Sequence, residues 1–227
     1  MKGIVLIISV FLMSSCGTKY NYIDTGTCKG YYDGTIYEYL KQDRGHWDSI
    51  TKVIEKCSPE VLALFETQKI TFFGPKNIAF QKYFYWGQPD HISEQVVNYN
   101  KEAYACINEW PRTLCDSFVK SHLVLGVTMR DDVPRLEKDD EGVNNGGGVV
   151  MTTVWGNKLW CWTIRNPFAG VPEAGDVEMK IASVKADGIT IINNLGNIAT
   201  TNLEAKNGVV HALADAYFLG QFFQFEQ

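Results

Sequence analysis

Apolar residues recur at helical spacing through the first half of the chain and alternate as in strands through the second. Thr35-x-x-Glu38 has the capping-box pattern, so a helix is predicted to open there and run through IYEYLKQ. Residues 46–57 place Trp47, Ile50, Val53 and Ile54 on one helical face. Ser58-Pro59 joins an N-cap residue to a proline in the first turn and opens PEVLALFE. Residues 70–73 are a short apolar run of strand type. Asn77 is predicted to cap a turn of helix through Phe84, Ser93 a longer helix to Asn108, and Pro111 to open another ending at His122.

The second half carries hairpin signals. Gly156-Asn157 sits between VVMTTVW and KLWCWTI, and Asp187-Gly188 between EMKIASV and ITIINN. Further strands are predicted over 197–205 and 209–213. The fold class that follows is α+β, with helices mainly in the first half and antiparallel strands in the second. Residues 136–148 form an acidic, glycine-rich loop, and 17–34 show no period and read as a tether. No internal repeat is visible. One domain is therefore expected over 35–227, with a hairpin insertion at 136–170.

The first hairpin holds an unusual concentration of indoles. With Gly156-Asn157 as a two-residue turn, Trp155 faces Lys158, Thr153 faces Trp160 and Met151 faces Trp162. Trp155, Trp160 and Trp162 then share one face with Met151, leaving Val150, Val154, Leu159 and Cys161 for a core-facing side. The aromatic face is either covered by another layer or left as a platform for a sugar ring or a protein partner.

Composition is that of an ordinary globular chain, with 45% hydrophobic and 21% charged residues. The start departs from it. Lys2 precedes the apolar run at residues 3–13, which is of secretory length and short for a bilayer span. Ser14-Ser15-Cys16 then resembles a bacterial lipobox. That resemblance implies a signal peptide over 1–15, acylation of Cys16 as the first mature residue, and a lipidated tether over 16–34. Two or more acyl chains anchor stably where one does not. The implied location is the bacterial envelope, at the outer membrane. The remaining cysteines, Cys28, Cys57, Cys106, Cys115 and Cys161, are odd in number; Cys106 and Cys115 are near enough in sequence to pair. The net charge of −5 argues against a nucleic-acid partner, which needs a basic footprint.

The segment Thr71-Phe72-Phe73-Gly74-Pro75-Lys76-Asn77-Ile78-Ala79-Phe80 resembles the first signature of fasciclin domains, and Asn207-Gly208-Val209-Val210-His211 resembles the second. Between them, the segment around His122 resembles that of the family's Tyr-His pair. The resemblance covers residues 35–220 and implies a single fasciclin-like domain. Its motif residues, Thr71, Phe73, Pro75, Asn77, Phe80, His122, Asn207, Gly208 and His211, are expected to be architectural. The chain departs from the family at Lys76, where Thr is usual, and at Ser121, where Tyr precedes the histidine. An acid usual three residues after His211 is replaced by Ala214, with Asp215 one residue later.

No catalytic or phosphate-binding motif is present, and no two histidines have metal-ligand spacing. No catalytic residue, metal or cofactor is therefore expected. The implied function is a surface-anchored binding or adhesion module whose partners are the membrane, through its lipid, and a surface protein or glycan. A glycan-binding role for Trp155, Trp160 and Trp162, and carriage of a small apolar ligand, are the alternatives.

Overall fold

The structure is a computed structural model that describes residues 30–86, 105–138, 144–188 and 190–222. The helix expected from Ser93 falls mostly on residues outside these. The described chain opens with a short strand β1 (Tyr31–Tyr32), then α1 (Ile36–Gln42), α2 (Arg44–Lys56) and α3 (Pro59–Thr67). The capping box closes α1 as expected: Glu38 N–H donates to Thr35 Oγ1 at 3.2 Å, and Thr35 N–H to Glu38 Oε2 at 2.8 Å. Ser58 caps nothing with its side chain. Its N–H instead donates to Asp116 Oδ1 at 2.7 Å, tying α3 to the later helix α5 (Arg112–Ser121).

Strand β2 (Ile70–Gly74) is buried throughout and leads into α4 (Asn77–Gln81), which continues as a π-helical turn over Lys82–Trp86. Asn77 does not cap its own helix. Its carboxamide enters the first turns of α2, accepting from Ser49 N–H at 2.8 Å and donating to the carbonyls of Arg44 (3.1 Å) and Gly45 (3.0 Å). Asn77→Ala should therefore loosen α2 and cost about 1–2 kcal/mol in urea unfolding. An unchanged midpoint would show that water replaces the amide.

The second half is sheet. Strands β3 (Leu123–Leu125), β6 (Val149–Thr152), β7 (Lys158–Arg165), β8 (Val177–Val184), β9 (Ile191–Ala205) and β10 (Gly208–Leu213) join β2 in the order β3-β2-β10-β9-β8-β7-β6. β2 and β10 run parallel, which the helices between them permit; β3–β2 and β10 through β6 pair antiparallel. The layout is α+β, with helices mainly in the first half. The stretch expected as a bare tether contributes β1, paired in parallel with Glu204 and Ala205 of β9. The glycine-rich loop holds a small hairpin, β4 (Leu136–Lys138) with β5 (Asn144–Gly147).

One core runs through the domain. Ile36, Ile50, Val53 and Val61 from the helices pack with Ile70, Phe72, Leu159, Ile181 and Val210 from the sheet. Cys57, Cys106, Cys115 and Cys161 are free thiols, so Cys106 and Cys115 are not joined. Burial of this many aliphatic and aromatic side chains, each contributing about 1.5–3 kcal/mol, holds the described residues together with no disulfide among them.

The tryptophan hairpin differs from its expected register. Val150 faces Trp160, Met151 faces Leu159 and Thr152 faces Lys158, so five residues, Thr153 to Asn157, connect the strands. The Gly156-Asn157 signal is overridden by bonds from outside the hairpin. Val154 N–H donates to Leu123 O at 2.7 Å, and Trp155 N–H to Lys120 O at 3.2 Å. Thr153 N–H closes the loop on Asn157 O at 2.9 Å. This loop docks on the β3 edge, so the two ends of the sheet meet.

Candidate functional site

The fasciclin-type motif residues hold the fold together. Thr71 Oγ1 donates to Gly126 O at 2.8 Å and accepts from Thr128 N–H at 2.9 Å, pinning the chain that leaves β3. Phe73 stacks on His211 at 5.6 Å between ring centres, and Phe80 packs edge-on against Phe118 at 6.0 Å. Pro75 is buried at the turn between β2 and α4. Asn207 spans three elements: its Oδ1 accepts from Ile36 N–H at 2.8 Å, its Nδ2 donates to Phe65 O at 2.5 Å, and its backbone oxygen accepts from Ile70 N–H at 3.0 Å.

Both histidines are buried and neutral by their bonding. His122 Nδ1 donates to Phe118 O at 2.7 Å, and its Nε2 accepts from Tyr217 Oη at 2.7 Å. Burial holds this imidazole down at about 4, against a smaller opposing pull from the Phe118 carbonyl. His211 carries the opposite tautomer: Nε2 donates to Thr128 O at 2.9 Å and Nδ1 accepts from Asn202 N–H at 3.3 Å. Burial lowers its affinity for a proton as well. The nitrogens of both rings are thus taken up by protein groups.

Two departures from the family pattern answer each other. Lys76 Nζ lies 2.5 Å from Asp215 Oδ1. The lysine hydrogen bond pulls the Asp215 carboxyl below its usual range, with burial opposing. The register of β10 on β9 shifts on either side of Ala212, shortly before Asp215. Ser121, in place of a tyrosine, turns inward and donates to Phe118 O at 2.7 Å.

The tryptophans do not form a single platform. An odd register shift moves Met151 to the face of Leu159 and Cys161, and Trp155 lies in the connecting loop. Trp160 and Trp162 do share a face and stack at 4.2 Å between ring centres. Trp162 is buried beneath the glycine run. A Cβ on Gly148 would lie 2.4 Å from Trp160 Nε1 and 3.0 Å from Trp162 Cβ, so only glycine lets the backbone pass this close. Trp160 Nε1 donates to Gly147 O at 3.2 Å.

Each of the other two indoles opens on its own recess. Trp160 lines one of about 370 Å³ with Gly146, Gly147, Gly148, Val150 and Ile191, and Val150 and Ile191 are exposed. Its walls are apolar side chains and glycine backbone. Trp155 is 43% exposed and lines a second recess, of about 560 Å³, with Lys158, Ser183, Lys185, Gln221 and Phe222. This one mixes an aromatic wall with polar and cationic side chains. Sequence reasoning missed it, because Ser183, Lys185 and Gln221 lie far along the chain from the tryptophan hairpin and belong to no binding motif. Among the described residues, no three His, Cys, Asp or Glu side chains converge as a metal site would require.

No protein-family model and no curated protein matches the chain. Among solved structures, the chain is similar to a FAS1 domain pair from the insect cell adhesion molecule fasciclin I, at 18% identity and a TM-score of 0.48. The match covers 79% of this chain and 49% of the other, so the chain spans about half the length of that pair.

Proposed function

We propose that this chain is a binding module anchored in the bacterial envelope, and that it catalyses nothing. Its leader is cleaved before Cys16, whose acyl chains hold it at the outer membrane, and the folded domain engages a surface protein or glycan. The observation that carries the binding role is Trp155, a large apolar side chain kept in contact with water and set in a recess with polar walls. Exposed indoles of this kind anchor interfaces. The leader pattern in residues 2–16 supports the anchor.

A second reading has its own support. The Trp160 recess offers indole, glycine backbone, Val150 and Ile191, with no side chain to bond a hydroxyl. That chemistry suits a flat apolar ligand better than a sugar, whose hydroxyls would lose water without replacement.

The test has two arms. The full chain should enter the detergent phase on partitioning and Cys16→Ala should remain in the aqueous phase; wild-type protein in the aqueous phase overturns the anchor. The chain from residue 17, which keeps every core residue from Ile36 onward, should bind members of a glycan and envelope-protein panel. Trp155→Ala should lose the surface partners and Trp160→Ala only apolar ligands. Binding that neither substitution changes would remove the hairpin from the function.

A further inference from the structure

The recess beside Trp155 has a chemistry of its own. It lies where β7 begins and β8 ends, closed on the far side by Gln221 and Phe222. Among the described residues, Lys158 and Lys185 both line it and no carboxylate does. Neither lysine belongs to an ion pair among the described residues. In a chain of net charge −5, two lysines lining one cavity with no acid among its described lining residues are a local inversion of sign.

Ser183 supplies a second, independent sign. It is 5% exposed, and its hydroxyl has no hydrogen-bond partner among the described residues. A buried hydroxyl left unpaired is costly, and Ser183 is one of the residues that line this same recess. The amide of Asn157, by contrast, is already used, its Nδ2 donating to Phe222 O at 2.8 Å and so fixing the C-terminal wall.

We infer that this recess binds an acidic saccharide. The apolar face of a sugar ring rests on Trp155, its carboxylate lies between the ammonium groups of Lys158 and Lys185, and a ring hydroxyl pairs with Ser183 Oγ. The inference rests on the binding-module reading and names its ligand class. The pairing of features selects that class. An indole alone would accept any flat apolar group, and two lysines alone any anion. Together with a hydroxyl needing a partner, they match a ring that carries an acid and several hydroxyls. A volume of about 560 Å³ falls in the range of small-ligand sites.

Calorimetry on the chain from residue 17 tests this, with trigalacturonate as the acidic probe, galactotriose as the neutral one and adenosine monophosphate as a non-saccharide anion. Trigalacturonate should bind about ten-fold or more tightly than either, and the advantage should shrink as salt is raised. Trp155→Ala should weaken it about ten-fold or more. Lys158→Ala with Lys185→Ala should bring the acidic and neutral probes level, and Trp160→Ala should change nothing. Circular dichroism confirms folding; Trp155 sits in an exposed loop and its loss leaves the core intact. Equal affinity for both trisaccharides, or tighter binding of the nucleotide, overturns the acidic saccharide while leaving a binding module. No binding of trigalacturonate, or binding that survives Trp155→Ala, overturns the site itself, and crosslinking to a protein partner in cells then judges the broader reading separately.

Discussion

Gly208→Ala is expected to cost about 3–5 kcal/mol in urea unfolding, enough to unfold much of the population of a marginally stable domain. Gly208 begins β10 with φ of 150°, where L side chains are strained. The greater problem is steric. A Cβ there would lie 1.9 Å from Ile70 O and 2.9 Å from its carbonyl carbon. Both are backbone atoms of β2, so no change of rotamer relieves the contact. The strands must part, and Gly208 is paired with Ile70 at the head of the parallel pairing between β2 and β10. Asn207, next in the chain, would move too, loosening its bonds to Ile36 and Phe65. Gly156→Ala separates the two causes. Gly156 also has positive φ, 102°, yet nothing lies within 4 Å of its added Cβ. It should lose only about 1 kcal/mol. If the two variants proved equally stable, the close approach of β2 and β10 would not be the reason for the glycine.

Stability should also fall by roughly 3 kcal/mol as pH drops from 6.5 to 4, through His122 alone. In the unfolded chain this imidazole takes up its proton near 6.5; in the folded protein it does so only at about 4. Between those values the unfolded state binds more protons, so acid favours unfolding. Above 6.5 the contribution is complete, and below 4 no more is lost. The cause is that a charged ring would sit among Phe118, Tyr217 and Phe222, with Nε2 already accepting from the Tyr217 hydroxyl. His211 acts in the same direction. Urea midpoints read from pH 7.5 to 4.5 stay above the range where most carboxylates titrate. His122→Gln should be less stable at neutral pH and show a shallower slope; an unchanged slope would place the titration elsewhere.

Much of this architecture could be read in the chain, and the reason is locality. The capping box at Thr35 and Glu38 is a four-residue device, and it forms as written. Helical spacing in α2 and strand alternation in the second half report which side of each element meets the core, and burial follows that side. The pairing of Lys76 with Asp215 shows the limit of such reading. Each departure was visible by itself, but their contact is made only when β10 lies beside β2 and brings its end to the start of α4.

The sequence by itself determined the α+β layout and the division into a helical half and a sheet half. Asn207, Gly208 and His122 carry a backbone or hydrogen-bonding demand that the residue type alone announces. Only the tertiary structure decided where the tryptophans point. A two-residue turn was the best local solution at Gly156-Asn157, yet Leu123 and Lys120, far upstream, offered carbonyls that drew the loop outward and changed the register by an odd number. That shift put Trp155 beside Lys158, Ser183 and Lys185, and left Trp160 against a floor of glycines. A strand's faces alternate with every residue, so the distant bonds that set its register also settle which side chains can meet a ligand.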